Sequence, residues 1–197
     1  MNTKTITLIV IAAFVLILGG CGCNSYNGLV SGDQGVRQSW SDVETNYQRR
    51  TDLYNSVIKT IEGSANFEKS TLKEVIAARA SATQIKVDIN DPATLQKYQA
   101  AQGQLQSSFG KLLAISESYP DLKTTKSFQD FQAQIEGTEN RINIARKDYN
   151  ASVNSYNLQV RQFPNNIFAG IFHFGEKAYY QADAGTENAP DINFNIK

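Results

Sequence analysis

Histidine, cysteine and tryptophan are scarce in this 197-residue chain, which has one histidine, two cysteines and one tryptophan. With His173 alone, and no group of cysteines or histidines, the usual zinc and iron sites lack ligands, so no metal or other cofactor is expected. Cys21 and Cys23 lie together in one apolar stretch and cannot staple distant parts of the chain, which excludes a disulfide framework. Charge of one sign is missing too. Basic and acidic residues number 19 each, so no basic field exists to attract nucleic acid, and none is expected as a partner. A glycine-rich phosphate loop, a Ser-His-Asp set and an HExxH motif are all absent. Glu68, Glu74 and Glu117 read as residues of a solvated face rather than as paired acid-base carboxylates, and no catalysis is expected.

What is present begins with a run that has no place in water. No side chain between Thr5 and Gly32 is charged, and 6–18 reads Ile-Thr-Leu-Ile-Val-Ile-Ala-Ala-Phe-Val-Leu-Ile-Leu. Carried on through small residues to Cys23, this stretch reaches the roughly 18 residues needed to span hydrocarbon; stopped at Leu18, it has the length of a signal segment. Two anchors follow: a single-pass N-terminal transmembrane helix, or a bacterial lipoprotein signal in which Leu18, Gly19 and Gly20 precede a lipidated Cys21. Lys4 and the N-terminal amine, followed by sparse positive charge in which Arg37 comes first, favour an inside N-terminus and an exported body. Residues 1–23 are therefore expected to be the membrane segment or signal.

From Val36 onward apolar positions recur at alternating steps of four and three, which is a helical seam. Val36, Trp40, Val43, Tyr47, Arg50, Tyr54, Val57 and Ile61 form the first, closed by Gly63. A second runs through Leu72, Val75, Arg79, Ala82 and Ile85. Asp91 and Pro92 then restart the chain with a capping carboxylate and a proline suited to a first turn. The third seam holds Leu95, Tyr98, Gln102, Leu105, Phe109, Leu112 and Tyr119, stopped by Pro120. The fourth holds Phe128, Ile135, Glu139, Ile142, Arg146, Tyr149, Val153, Tyr156, Val160 and Phe163, stopped by Pro164. No comparable alternation by two is present, so strands are not expected. Short connections between long helices predict an all-α, antiparallel up-down-up-down four-helix bundle over 24–163, elongated because the first and fourth helices outrun the second and third. Two of the four helices then make a stalk next to the membrane.

Charged residues at Arg50, Arg79, Glu139 and Arg146 interrupt these seams, and a lone buried charge is costly. Counted from the expected turns at Gly63 to Asn66, at Asp91 and at Pro120, Arg50, Arg79, Gln102 and Glu139 reach one level. They are expected to form a structural ionic layer in which both arginines share the Glu139 carboxylate.

Short motifs punctuate the chain: Tyr-Asn-Gly-Leu-Val at 26–30, Trp-Ser-Asp-Val-Glu at 40–44, Tyr-Gln-Arg-Arg-Thr-Asp-Leu at 47–53 and Ala-Arg-Ala at 78–80. Glu-Ser-Tyr-Pro-Asp-Leu at 117–122, Thr-Glu-Asn-Arg-Ile at 138–142, Ala-Arg-Lys-Asp-Tyr-Asn at 145–150 and Phe-Pro-Asn-Asn-Ile-Phe-Ala-Gly at 163–170 continue in order. In this order they resemble the LemA family of bacterial membrane proteins. The resemblance implies an N-terminal membrane segment and a helical-bundle body, and it brings no settled activity. The chain departs from the family pattern at Tyr54 and Ser56, at Phe67 before Glu68, and in the Cys-Gly-Cys at 21–23.

The tail at 164–197 is aromatic at first and polar at its end, and it is expected to be mobile after about Ala184. If the fourth helix ends at the bilayer, Ile167, Phe168, Ile171, Phe172, Phe174, Tyr179 and Tyr180 rest among lipid headgroups; the alternative is that they pack on the base of the bundle. The sequence thus predicts a non-catalytic, membrane-tethered scaffold or interaction module of the bacterial cell envelope. Its expected partners are membrane lipid and an unidentified envelope protein, and its oligomeric state is open. The alternative is a membrane-anchored sensor or small-ligand-binding bundle whose polar layer opens to a small molecule.

Overall fold

Apolar residues spaced for one helix face, with few prolines and no alternation by two, leave the chain little choice but helix, and a computed structural model shows five helices among its described residues. Described are 3–62, 69–119 and 125–181, apart from the side chains of Lys4, Val10, Phe14, Val15, Ile17, Leu18 and Lys69. The expected turns at Gly63 to Asn66 and at Pro120 to Asp121, the Phe67-Glu68 pair and the stretch after Ala184 lie outside them.

Helix α1 spans Thr3–Glu62, α2 Lys69–Gln84, α3 Pro92–Ser116, α4 Lys126–Arg161 and α5 Asn165–Phe172. Two of the starts are capped by a side chain. Asp91 caps α3 by accepting from the Ala93 N–H with Pro92 in the first turn, and Thr125 caps α4 by accepting from the Phe128 N–H. α5 ends on His173, whose φ of 61° places it in the left-handed region that closes helices.

α1 packs along α4 and α2 along α3, each pair antiparallel, and the pairs meet through interdigitated side chains. Gly32 allows the close approach of the long pair, because a Cβ there would stand 3.0 Å from the Tyr156 ring and 2.8 Å from Gln159 Oε1. The first and fourth helices do outrun the others: α1 has 60 residues and α4 has 36, against 16 and 25. At 1.5 Å per residue α1 is about 90 Å long, and residues 3–23 are the beginning of that same helix rather than a separate element.

Two core clusters fill the bundle. One gathers Tyr54, Val57, Ile61, Val75, Leu105, Phe109, Leu112, Phe128 and Ile135. The other gathers Val36, Trp40, Val43, Tyr47, Leu95, Tyr98, Ile142, Tyr149, Val153 and Tyr156, together with Ile89 and Tyr180. Most apolar seam residues named from the sequence are therefore buried, and Leu72, Ile85, Tyr119 and Val160 are half-buried. Phe163 is exposed, at 79%, because α4 ends at Arg161 before it.

Among the described residues no helix is long and apolar enough to cross a membrane. One expectation needs correction, because the tail does not stay at the base. After His173 the chain runs back along α4 as an extended strap, 174–181, where Tyr180 is buried and only Tyr179 of its two tyrosines is exposed. This strap supplies the third wall that α2 and α3 are too short to provide around the second cluster.

Candidate functional site

The boundary between the two clusters is polar, and it falls at Arg50 on α1, Gln102 on α3 and Glu139 on α4. Arg50 is wholly buried. Its Nη1 donates to Glu139 Oε1 at 3.3 Å, and its Nη2 donates to Gln102 Oε1 at 2.5 Å and to the Gln102 carbonyl at 3.2 Å. The faces of Tyr47 and Tyr54, one helical turn away on either side, flank the guanidinium at 4.7 Å and 5.8 Å. Its Nε is buried without a hydrogen-bond partner. Glu139 also accepts from the Tyr54 hydroxyl at 3.5 Å, and its side chain is 25% exposed. Burial, reinforced by the adjacent Glu139 charge and opposed by Arg50, pushes the Tyr54 hydroxyl well above its ordinary pKa.

Arg79 does not join this group. It is half-buried, forms no ion pair with Glu139, and keeps its Nε buried without a partner. Counting residues from turns fixed its height but not the direction it faces. α2 packs along α3, whereas Glu139 sits on α4 beside α1. The layer is thus one arginine shared between a carboxylate and an amide, not two arginines on one carboxylate.

Two further cations form tiers above it. Arg146 donates from Nε to the Tyr47 hydroxyl at 2.8 Å and lies 4.5 Å over the Tyr180 ring, while the Tyr47 and Tyr180 hydroxyls are 2.5 Å apart. Higher still, Lys177 is buried with its Nζ 2.5 Å from Asp33 Oδ1 and 2.6 Å from Asn90 Oδ1. The tiers join α1 to α3 and α4, then to the strap, then to the 85–91 connection.

A cleft of about 630 Å³ opens alongside, bordered by Thr45, Tyr47, Gln48, Tyr98 and Gln102. Gln102 of the layer borders it, whereas Arg50 and Glu139 do not, so the ion pair itself stands back from the cleft. Among the described residues no group of three His, Cys, Asp or Glu side chains is placed to hold a metal ion.

The other distinctive region is the end carrying α5. α5 docks against α1 through the Phe168 ring, which would meet a Cβ at Gly22, and through a hydrogen bond from the Ser25 hydroxyl to Asn165 Oδ1. Tyr26 takes Phe172 and Phe174 edge-on, with ring centroids at 4.9 Å and 5.8 Å. Of the expected interface residues, Ile167, Ile171 and Phe172 are exposed here, Phe168 and Phe174 are half-buried against α1, and Tyr179 and Tyr180 lie further along the strap. Ile6, Leu8, Ile9, Ile11 and Leu16 of α1 are also exposed, as are Cys21 and Cys23.

The family profile described as the LemA family matches residues 39–194, which takes in the ionic layer, α5 and the strap. The chain belongs to the LemA family. It is similar to Protein LemA of Metamycoplasma hominis, 27% identical over 156 residues, covering 79% of this chain and 68% of that one. It is also similar to Magnetosome protein MamQ 2 of Paramagnetospirillum magneticum, 23% identical over 195 residues, covering 89% and 70%. Magnetosome protein MamQ of Magnetospirillum gryphiswaldense is 22% identical over 174 residues, covering 79% and 64%. In this LemA-family chain, sequence reasoning found Arg50, Gln102 and Glu139 but missed Asn150, Asn157 and Lys177. The available signal was the asparagine row Asn150, Asn154 and Asn157, each one place after a buried seam residue of α4.

Proposed function

We propose that this LemA-family protein is a non-catalytic scaffold tethered at a lipid surface, holding a stiff helical rod away from it to engage another envelope protein. One observation carries the reading. The exposed large apolar side chains concentrate at one end, on Ile6, Leu8, Ile9, Ile11, Leu16 and Tyr26 of α1 and on Phe163, Ile167, Ile171 and Phe172 around α5. An apolar surface of this extent is unfavourable in water and matches a lipid interface, where amphipathic aromatics are stable. The tether is the apolar N-terminal run itself or, as the alternative anchor, an acyl chain on the exposed Cys21 that follows it.

The non-catalytic part of the proposal rests on how the polar groups are used. Arg50 bridges Glu139 and Gln102 across three helices, and neither charged member of the layer lines the neighbouring cleft, which suits fixing helix register rather than chemistry.

The test is membrane fractionation with alkaline extraction. The full chain should remain with the membranes, and Ile9→Asp with Leu16→Lys should release it. Labelling with a fatty acid, lost in Cys21→Ser, would assign the acyl anchor. A wild-type chain recovered in the soluble fraction would overturn the tether.

A further inference from the structure

The strap at 174–181 is held in an unusual way. Asn157 of α4 donates from Nδ2 to the Lys177 carbonyl at 2.9 Å and accepts at Oδ1 from the Lys177 N–H at 2.8 Å. Asn150, two helical turns earlier, repeats the arrangement on Tyr180, with 2.9 Å to its carbonyl and 2.8 Å from its N–H. The Ala178 N–H donates to the Ile89 carbonyl at 3.2 Å, and the Tyr149 hydroxyl donates to the Ala178 carbonyl at 2.8 Å. A side-chain amide that closes a two-point contact with one residue's N–H and C=O stands in for a neighbouring β-strand, and it recognises an extended backbone whatever its side chains.

Selectivity comes from two positions. The Lys177 ammonium enters a site made by Asp33, Asn90 and the Tyr156 ring, which it faces at 5.4 Å. Tyr180 enters between Tyr47 and Arg146. Lys177 and Tyr180 are buried while Gly175, Glu176, Tyr179 and Gln181 are exposed, so the strap is the outermost layer of the molecule and lies in a groove it fills from outside.

We propose that this groove is a binding site for an extended peptide with lysine and tyrosine three residues apart, and that its second occupant is the strap of another copy of this chain. The contacts that hold the strap are made by atoms that a second copy presents identically, and exchange of a matching segment is a low-cost way to join copies. The proposal is independent of the lipid tether, because its test is done in detergent.

The probe is a fluorescent synthetic peptide of residues 173–181, and binding to the full chain is followed by anisotropy. In Lys177→Ala with Tyr180→Ala the resident strap loses both selective contacts, so the groove is freed and the peptide should bind about tenfold or more tightly than to the wild type, whose own strap competes. Adding Asn150→Ala and Asn157→Ala to that variant should remove the binding. Absence of binding to the double variant with its helical circular dichroism intact would overturn the proposal. So would equal binding with the asparagines removed, or equal binding of a peptide lacking the lysine and tyrosine. Should the double variant lose helix, Tyr180→Phe replaces it, and peptide binding no tighter than to the wild type would again overturn the proposal.

Discussion

The Lys177 ammonium lies 2.5 Å from the Asp33 carboxylate, which ties the strap to the first helix. Burial pushes the Asp33 carboxyl up, but hydrogen bonds and charge from Lys177 and Arg37 outweigh it and hold the group below its ordinary pKa. A carboxyl depressed in the fold contributes stability that is fully present above its unfolded value, about 3.9, and is lost as pH falls through the lower folded value. Acidification through that range should loosen the strap, seen as faster hydrogen exchange at the Lys177 and Tyr180 amides. Asp33→Asn should make exchange there fast already at neutral pH and remove the acid step.

Arg50 and Glu139 should respond unequally to mutation. Glu139→Ala leaves a fully buried guanidinium with only Gln102, and breaking a buried pair costs about 3–5 kcal/mol. Because Gln102 remains and the carboxylate is partly hydrated, a loss of about 2–3 kcal/mol is expected. Arg50→Met fills similar volume and leaves a carboxylate that water can reach, so its cost should be lower, below about 1.5 kcal/mol. Urea denaturation of the two variants tests that order.

High pH should unfold the bundle cooperatively. Burial raises the Tyr98 and Tyr149 hydroxyls well above their ordinary values and pushes Tyr156 up to about 12. A group raised in the fold contributes stability that is present below its unfolded value, near ~10, and is lost as pH rises through the folded one. Tyrosinate absorbance should therefore appear together with loss of helical circular dichroism. Ionisation of these buried rings with full helix retained would contradict the packing described.

Glycines inside the helices should divide by environment. A Cβ at Gly103 or Gly137 meets open space, so alanine there should stabilise by about 0.5–1 kcal/mol each. At Gly32 the same change pushes into the buried Tyr156 ring, and overpacking of about 1–3 kcal/mol should cancel or exceed the gain. Thermal melts of the three variants provide the comparison.

The helical seams were legible because core burial imposes one period along a whole helix. Trp40, Tyr47, Tyr54, Phe109, Ile142 and Tyr149 announce themselves by spacing and are buried where spacing puts them. Arg50 and Glu139 were legible for the same reason, as charges at positions the period reserves for apolar groups. Arg79 shows the limit of that reasoning. It occupies a seam position too, but a seam says which residues turn inward on one helix and not which neighbouring helix they meet.

The strap was illegible for a different reason. Its residues have no helical or strand period, since Lys177 and Tyr180 are buried three apart and Lys177 is a residue type normally left in water. Its attachment runs through backbone groups, which every residue has, so its own sequence carries little trace of it. The partners on α4 are asparagines on a helix otherwise read as a polar flank, and an amide facing solvent looks the same in sequence as an amide gripping a backbone.

The two clusters on either side of Arg50 also differ in when they can be completed. The far one draws on residues from Tyr54 to Ile135, all of which are available while a ribosome is still translating the rest. The other waits for Tyr180, since a wall of it is made by almost the last of the described residues. A nascent chain halted before that point would emerge with one finished half and one open seam.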